Sequence, residues 1–214
     1  MQIALDTFDL PSALGPLQKA HQHLDVIEVG TILCLSEGMK AVRIIRSLFP
    51  DKIILADVRI AEAGSIISKM AFEAGANWVS VVSGATMTTA EVVQKEAEKH
   101  GGEVQIELID GWSWEMARQW RDIGIQQVIT HRSRDAEARG DLTWNERDFA
   151  EISELAAMGF KVTVTGGVKV ADIPRFAGVP VYIFIAGRAI RGADNPAAAA
   201  MQFQDVIKQT FTPA

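Results

Sequence analysis

Cysteine is almost missing from these 214 residues, since Cys34 stands alone. One thiol excludes an intrachain disulfide and a cysteine-built zinc site, so Cys34 reads as a packing residue. Long apolar runs are missing as well, and nothing approaches the roughly 20 residues that a bilayer-spanning helix needs. The start, MQIALD, enters an apolar segment at once, without the charged flank and cleavage site of a signal peptide. A cytoplasmic protein with no membrane partner is expected. Basic excess is absent: 21 lysines and arginines against 27 acids leave a net charge of -6. The basic residues are scattered, so neither a nucleic-acid stripe nor a polybasic membrane patch forms, and no nucleic-acid partner is expected. Linkers, low-complexity tracts and His-x-x-x-His zinc spacing are lacking too. Residues 1–214, 48% apolar, therefore read as a single domain with one large core.

What is present is an alternation. Short β-rich apolar runs recur eight times: QIALD at 2–6, DVIEVG at 25–30, KIILAD at 52–57, WVSVVS at 78–83, EVQIEL at 103–108, QQVITH at 126–131, KVTVTG at 161–166 and VYIFIAG at 181–187. Between them lie helix formers at helical spacing, such as EGMKAVRIIRSLF, SIISKMAFEAG, TTAEVVQKEAEKHG, WEMARQWRDIG and ERDFAEISELAAMG, several closing on a glycine. Eight such units predict an α/β fold, a parallel sheet closed into a (β/α)₈ TIM barrel. A doubly wound open sheet is the alternative. The sixth connection, carrying RDAEARGDLTW, is long and polar, as a loop at a working rim would be.

Barrel enzymes place their chemistry where strands end and βα loops begin. Those ends carry Asp6, Glu28, Asp57 with Arg59, Glu107, His131 with Arg134, Thr165 with Gly166 and Gly167, and Gly187 with Arg188. Singly, such residues cap helices or turn the chain. Together on one rim they make a site. TGG at 165–167 and AGR at 186–188 follow the last two strands, where barrels bind phosphate through backbone N–H groups, and Arg188 adds a bidentate contact. A phosphorylated small molecule is the expected ligand. Glu28 and Asp57 stand at equivalent heights on adjacent strands and suit a hard cation such as Mg²⁺, which takes one or two carboxylates; the alternative is a carboxylate paired with Arg59 or Lys52. His131 is placed for proton transfer near neutral pH, or else for capping a helix.

These runs, with HRSRDA at 131–136 and TVTGG at 163–167 as the most specific, resemble the 3-keto-L-gulonate 6-phosphate decarboxylases of the orotidine monophosphate decarboxylase suprafamily, from Gln2 to the last helix. Arg134 and Thr165 are what separate that pattern from the related 3-hexulose-6-phosphate synthases, which are aldolases. The resemblance implies a homodimeric barrel with active sites shared between subunits. It implies loss of CO₂ from a phosphorylated keto-sugar acid, through an enediolate, on a pathway of ascorbate use. It makes Glu28 and Asp57 magnesium ligands and Asp6 and Glu107 partners of substrate hydroxyls. Thr165 becomes a substrate or proton-relay contact, His131 with Arg134 the proton source, and Gly167, Gly187 and Arg188 the phosphate holders.

One stretch departs from that group. Its third strand ends in Asp-x-Lys-x-x-Asp, whose lysine supports the enediolate and whose second aspartate comes from the neighbouring subunit. Here the residues are Asp57-Val58-Arg59-Ile60-Ala61-Glu62. Charge is kept, but a planar guanidinium replaces a compact ammonium, and the second acid gains a methylene. Three readings stay open: the decarboxylase, an aldolase joining formaldehyde to ribulose 5-phosphate, and a barrel that binds a sugar phosphate with reduced turnover.

Overall fold

A strand covered by helices on one side and by its neighbours' side chains on the other must be apolar along both faces, and the eight runs are. The computed structural model, which describes residues 1–132 and 143–211, closes them into one parallel barrel in chain order. The strands are β1 (Gln2–Leu5), β2 (Val26–Val29), β3 (Ile53–Ile60), β4 (Trp78–Val82), β5 (Glu103–Leu108), β6 (Gln127–His131), β7 (Lys161–Thr165) and β8 (Val181–Ala186). Gln2 and Ile3 of β1 pair with Ile185 and Ala186 of β8. That pairing removes both sheet edges and rules out the open doubly wound alternative.

Around the barrel lie α1 (Leu10–Ala20), α2 (Thr31–Glu37), α3 (Met39–Leu48), α4 (Gly64–Glu73), α5 (Met87–Lys99), α6 (Trp114–Asp122), α7 (Glu146–Ala157), α8 (Arg188–Arg191) and α9 (Pro196–Phe211). The first helix escapes a periodicity search because Pro11 and Pro16 interrupt it. Pro11 falls in the first turn, where its missing N–H costs nothing, and the Asp9 carboxylate caps the Ser12 N–H at 2.7 Å. Ser113 and Asn145 cap α6 and α7 in the same way. Among the described residues, no helix is long and apolar enough to cross a membrane.

Side chains alternate between two cores. Ala4, Val26, Leu55, Trp78, Ile129, Ile183 and Ile185 point inward and plug the barrel. Residues one position away, such as Ile3, Ile27, Ile54, Val79, Val128 and Val162, pack outward against the helices. Full burial of such an aliphatic side chain contributes about 1.5–3 kcal/mol. At the strand starts the interior turns polar: Gln105 donates to Gln127 Oε1 at 2.6 Å, and Gln127 to Glu103 Oε2 at 2.7 Å.

Candidate active site

Because side chains repeat every two residues along a strand, the inward set predicts what stands above the plug. Two positions beyond Ala4, Val26, Leu55, Gln105, Ile129 and Thr163 come Asp6, Glu28, Asp57, Glu107, His131 and Thr165. All six line one cavity of about 550 Å³ at the C-terminal ends of the strands, as do Arg59, Gly167, Gly187 and Arg188. Of the site residues expected from sequence that the structure describes, all are there except Glu62.

The carboxylates form one wall. Glu28 is buried, and the hydrogen bond it receives comes from an uncharged group, the amide of Gln2, which donates to Oε2 at 2.7 Å. Burial first, then the charges of Asp57 and Asp6, push its carboxyl well above the ordinary range. Asp57 is also raised, by burial and by Glu107, against the pull of hydrogen bonds from Ser80 and Thr31. Ser80 Oγ donates to Asp57 Oδ1 at 2.6 Å, and Thr31 Oγ1 to Oδ2 at 2.5 Å. Glu28 lies opposite Leu55 in the register, and Asp57 stands two residues further along β3; because barrel strands tilt, this is the ordinary stagger of inward residues on neighbouring strands. The close approach of Asp6 depends on Gly30, where an added Cβ would sit 2.4 Å from Asp6 Oδ1.

A buried carboxylate repelled by two neighbouring acids, beside an Asp57 that Ser80 and Thr31 already orient, fits a divalent cation. No group of three or more His, Cys, Asp or Glu side chains suited to a metal occurs among the described residues. A two-carboxylate set suits magnesium, which fills its other positions with water or substrate oxygens. Of the two cations that could pair with these acids instead, Lys52 donates to the Leu24 carbonyl at 2.5 Å, whereas Arg59 Nε does lie 3.9 Å from Asp57 Oδ2.

On the other side of Asp57, Glu107 gathers the basic groups. Its Oε1 accepts from the Arg59 guanidinium and lies 2.8 Å from His131 Nδ1, and Arg59 Nε lies 3.9 Å from Asp57 Oδ2. Burial pushes the Glu107 carboxyl up, but His131 and Arg59 outweigh it and hold it below the ordinary carboxylate range. Engagement of Nδ1 by Glu107 leaves Nε2 of His131 for proton transfer. Strand β3 does not stop at Asp57 as its apolar run suggested, but continues to Ile60 through a register shift, with Arg59 at φ +46°.

The opposite end of the cavity is made of loop. Gly166 takes φ +101°, and a Cβ there would strike the Arg132 Cβ at 2.4 Å, so only glycine fits. Gly167 also has a positive φ, of 67°. Gly187 precedes the four-residue α8, which starts at Arg188. Lys169 and Arg191, which the strand-end reading did not include, join Arg188 in lining this end. Both lie in loops or on a helix, outside the two-residue repeat that exposed the rest.

The chain has counterparts among known proteins. The sequence model described as Orotidine 5'-phosphate decarboxylase / HUMPS family matches residues 1–203. The chain belongs to this family. It is 51% identical over 211 residues to the 3-keto-L-gulonate-6-phosphate decarboxylase UlaD of Salmonella paratyphi B, covering 99% of this chain and 97% of that protein. In structure it is similar to KGPDC from Streptococcus mutans, at a TM-score of 0.95 and 43% identity over 98% of this chain and 97% of the other. It is also similar to 3-hexulose-6-phosphate synthase from Salmonella typhimurium, at a TM-score of 0.90 and 28% identity over 98% of each chain.

Glu62 is exposed and does not line this chain's own cavity. Arg134 lies outside the described residues. Cys34 is buried, its thiol pushed up to about 12 by burial and by Asp57 and Glu28, in keeping with a packing role.

Proposed function

We propose that this member of the family is a carboxy-lyase that decarboxylates 3-keto-L-gulonate 6-phosphate to L-xylulose 5-phosphate and CO₂. The observation that carries the reading is one cavity with an acidic, histidine-bearing wall and a glycine-lined basic end, at 51% identity to a decarboxylase of that name. The identity to 3-hexulose-6-phosphate synthase is lower, at 28%, and Thr165 stands in the cavity where the aldolase pattern has alanine.

Glu28 and Asp57 would hold Mg²⁺. When bound, the ion supplies positive charge that stabilises the oxygens of the enediolate left by departing CO₂. The chain's own groups do the rest. Gly167, Gly187 and Arg188 anchor the phosphate and so fix the carbon chain along the cavity. Asp6 orients substrate hydroxyls, and Arg59, turned toward the acidic wall, places its guanidinium beside the oxygens that gain charge. The C1–C2 bond breaks, its electron pair passes into the C2–C3 enediolate, and the proton that restores C2 comes from His131 Nε2, with Arg134 assisting. Thr165 contacts the substrate or relays the proton. Glu107 engages His131 and Arg59 through Oε1, and its buried Oε2, which has no hydrogen-bond partner among the described residues, is the oxygen that would accept a substrate hydroxyl.

The position of Glu62 favours a homodimer. It is exposed two residues before α4, whose Ile66 and Met70, 65% and 53% exposed and one turn apart, offer an apolar strip to a second copy. In that assembly Glu62 reaches the partner's cavity. A second reading rests on Arg59: a guanidinium held by Glu107 leaves a barrel that binds the sugar phosphate but turns it over slowly.

The deciding experiment is CO₂ release from 3-keto-L-gulonate 6-phosphate by purified protein, with and without Mg²⁺. Magnesium-dependent release supports the decarboxylase. Binding without release, rescued by Arg59→Lys with Glu62→Asp, establishes the second reading. Formaldehyde-dependent consumption of ribulose 5-phosphate would reveal the aldolase. For the shared site, an equal mixture of Glu28→Gln and Glu62→Gln subunits should recover about a quarter of wild-type activity, because half the dimers carry one intact site.

A further inference from the structure

The bend that aims Arg59 needs a cause. Pairing of β3 with β4 runs Leu55 to Trp78 and Ala56 to Val79, then shifts, so that Ile60 falls opposite Val81. Between the two registers Arg59 adopts φ +46°, a left-handed conformation that is strained for a non-glycine residue. Such a conformation persists only where its surroundings impose it. Nothing in the side chain of arginine favours it, and Gly would adopt it freely.

Ser80 stands at the shift. It points inward from β4, is fully buried, and is a small polar residue in the otherwise apolar run WVSVV. Its single hydroxyl serves two neighbours: Oγ accepts the Arg59 backbone N–H at 2.9 Å and donates to Asp57 Oδ1 at 2.6 Å. A serine hydroxyl has one hydrogen and two lone pairs, so giving the hydrogen to Asp57 aims a lone pair at the arginine amide. The two bonds therefore reinforce each other. Loss of the hydroxyl would leave a buried amide N–H without its acceptor and one oxygen of Asp57 without its donor.

We propose that Ser80 is a positioning residue that ties Asp57 to the left-handed turn at Arg59, and by that tie delivers the guanidinium to Glu107. The proposal rests on the decarboxylase reading for its kinetic consequence, but not for its structural one. Ser80 does not line the cavity and would touch no substrate atom. Its effect passes through Arg59, and displacement of a reacting group by about 1 Å costs on the order of a hundredfold in rate.

The test uses the full chain with Ser80→Ala, Ser80→Cys and Ser80→Thr. Ser80→Cys keeps the volume with a weak donor and serves if Ser80→Ala does not fold. In CO₂ release from 3-keto-L-gulonate 6-phosphate, kcat should fall about 10- to 100-fold for Ala or Cys. KM should stay within about threefold, because the phosphate end is untouched. Ser80→Thr, which keeps the hydroxyl, should restore kcat to within about fivefold. A crystal structure of the Ala or Cys variant should show Arg59 at negative φ, with its guanidinium off Glu107. A fall in kcat below about fivefold, a KM change larger than the kcat change, or an Arg59 still left-handed on Glu107 would overturn the proposal. If the wild-type protein released no CO₂, the decarboxylase reading would fail, and the crystal structure of the variant would decide the role of Ser80 alone.

Discussion

The two ends of the cavity are built on different principles. The acidic wall grows out of strands: Glu28, Asp57 and Glu107 are at most 8% exposed, and each is held by a neighbour on an adjacent element. The basic end grows out of loops after β7 and β8, with Gly167, Lys169 and Arg188 exposed. Burial at the first end stores electrostatic strain that a cation or an electron-rich intermediate can use. Exposure at the second would let the proposed phosphate enter and leave, and weakens each contact by solvent screening. Substitutions in the wall should therefore act on kcat and on stability, whereas those at the loop end should act on KM.

The sharpest break comes from Glu28→Gln. Loss of this carboxylate should lower kcat more than about a thousandfold. It should also stabilise the metal-free protein, raising its melting temperature by about 2–4 °C, because an uncompensated buried acid is gone. Activity and stability moving in opposite directions is the signature of a functional charge. The same acid sets a pH dependence. Its folded value lies above its unfolded one, so the folded state binds more protons between the two. The stability tied to that proton is complete below about pH 4.3 and is lost as pH rises through the raised value. Melting of the metal-free protein between pH 5 and 8 should fall with pH more steeply for wild type than for Glu28→Gln. Glu107 is shifted the other way, so its loss of stability comes below the ordinary carboxylate range and does not enter that window.

At the loop end, Arg188→Ala should raise KM about 10- to 100-fold with kcat within about threefold, the effect of one lost charge-assisted contact to phosphate. Lys169→Ala should raise KM by about three- to tenfold, since an exposed ammonium is a screened point charge. Steady-state kinetics at two salt concentrations checks both. A kcat effect from Lys169 would blur the division between the ends. The smallest effect belongs to Cys34: the native thiol should not react with a disulfide reagent within an hour, while the unfolded chain reacts at once.

Much of this was legible without coordinates, and the reason is the two-residue repeat. An apolar run that ends in an acid, as QIALD and KIILAD do, announces both a strand and the polar residue above its plug, so Asp6, Glu28, Asp57, Glu107, His131 and Thr165 could be named in advance. Residues off that repeat could not. Thr31 reaches Asp57 from the start of α2, Lys169 enters from a loop, and α1 hides behind two prolines. Ser80 keeps the repeat but lies below the rim, where a serine in WVSVV reads as mere filling.

Sequence alone determined the eightfold alternation, the rim that carries the chemistry and the family to which the chain belongs, because hydrophobic period and strand-end chemistry are local properties. Tertiary structure decided what depends on register: that Arg59 turns left-handed over Ser80, and that Glu107 holds His131 and Arg59 with one oxygen. Those contacts join residues from 21 to 48 positions apart. Only closure of the barrel brings them within hydrogen-bonding distance.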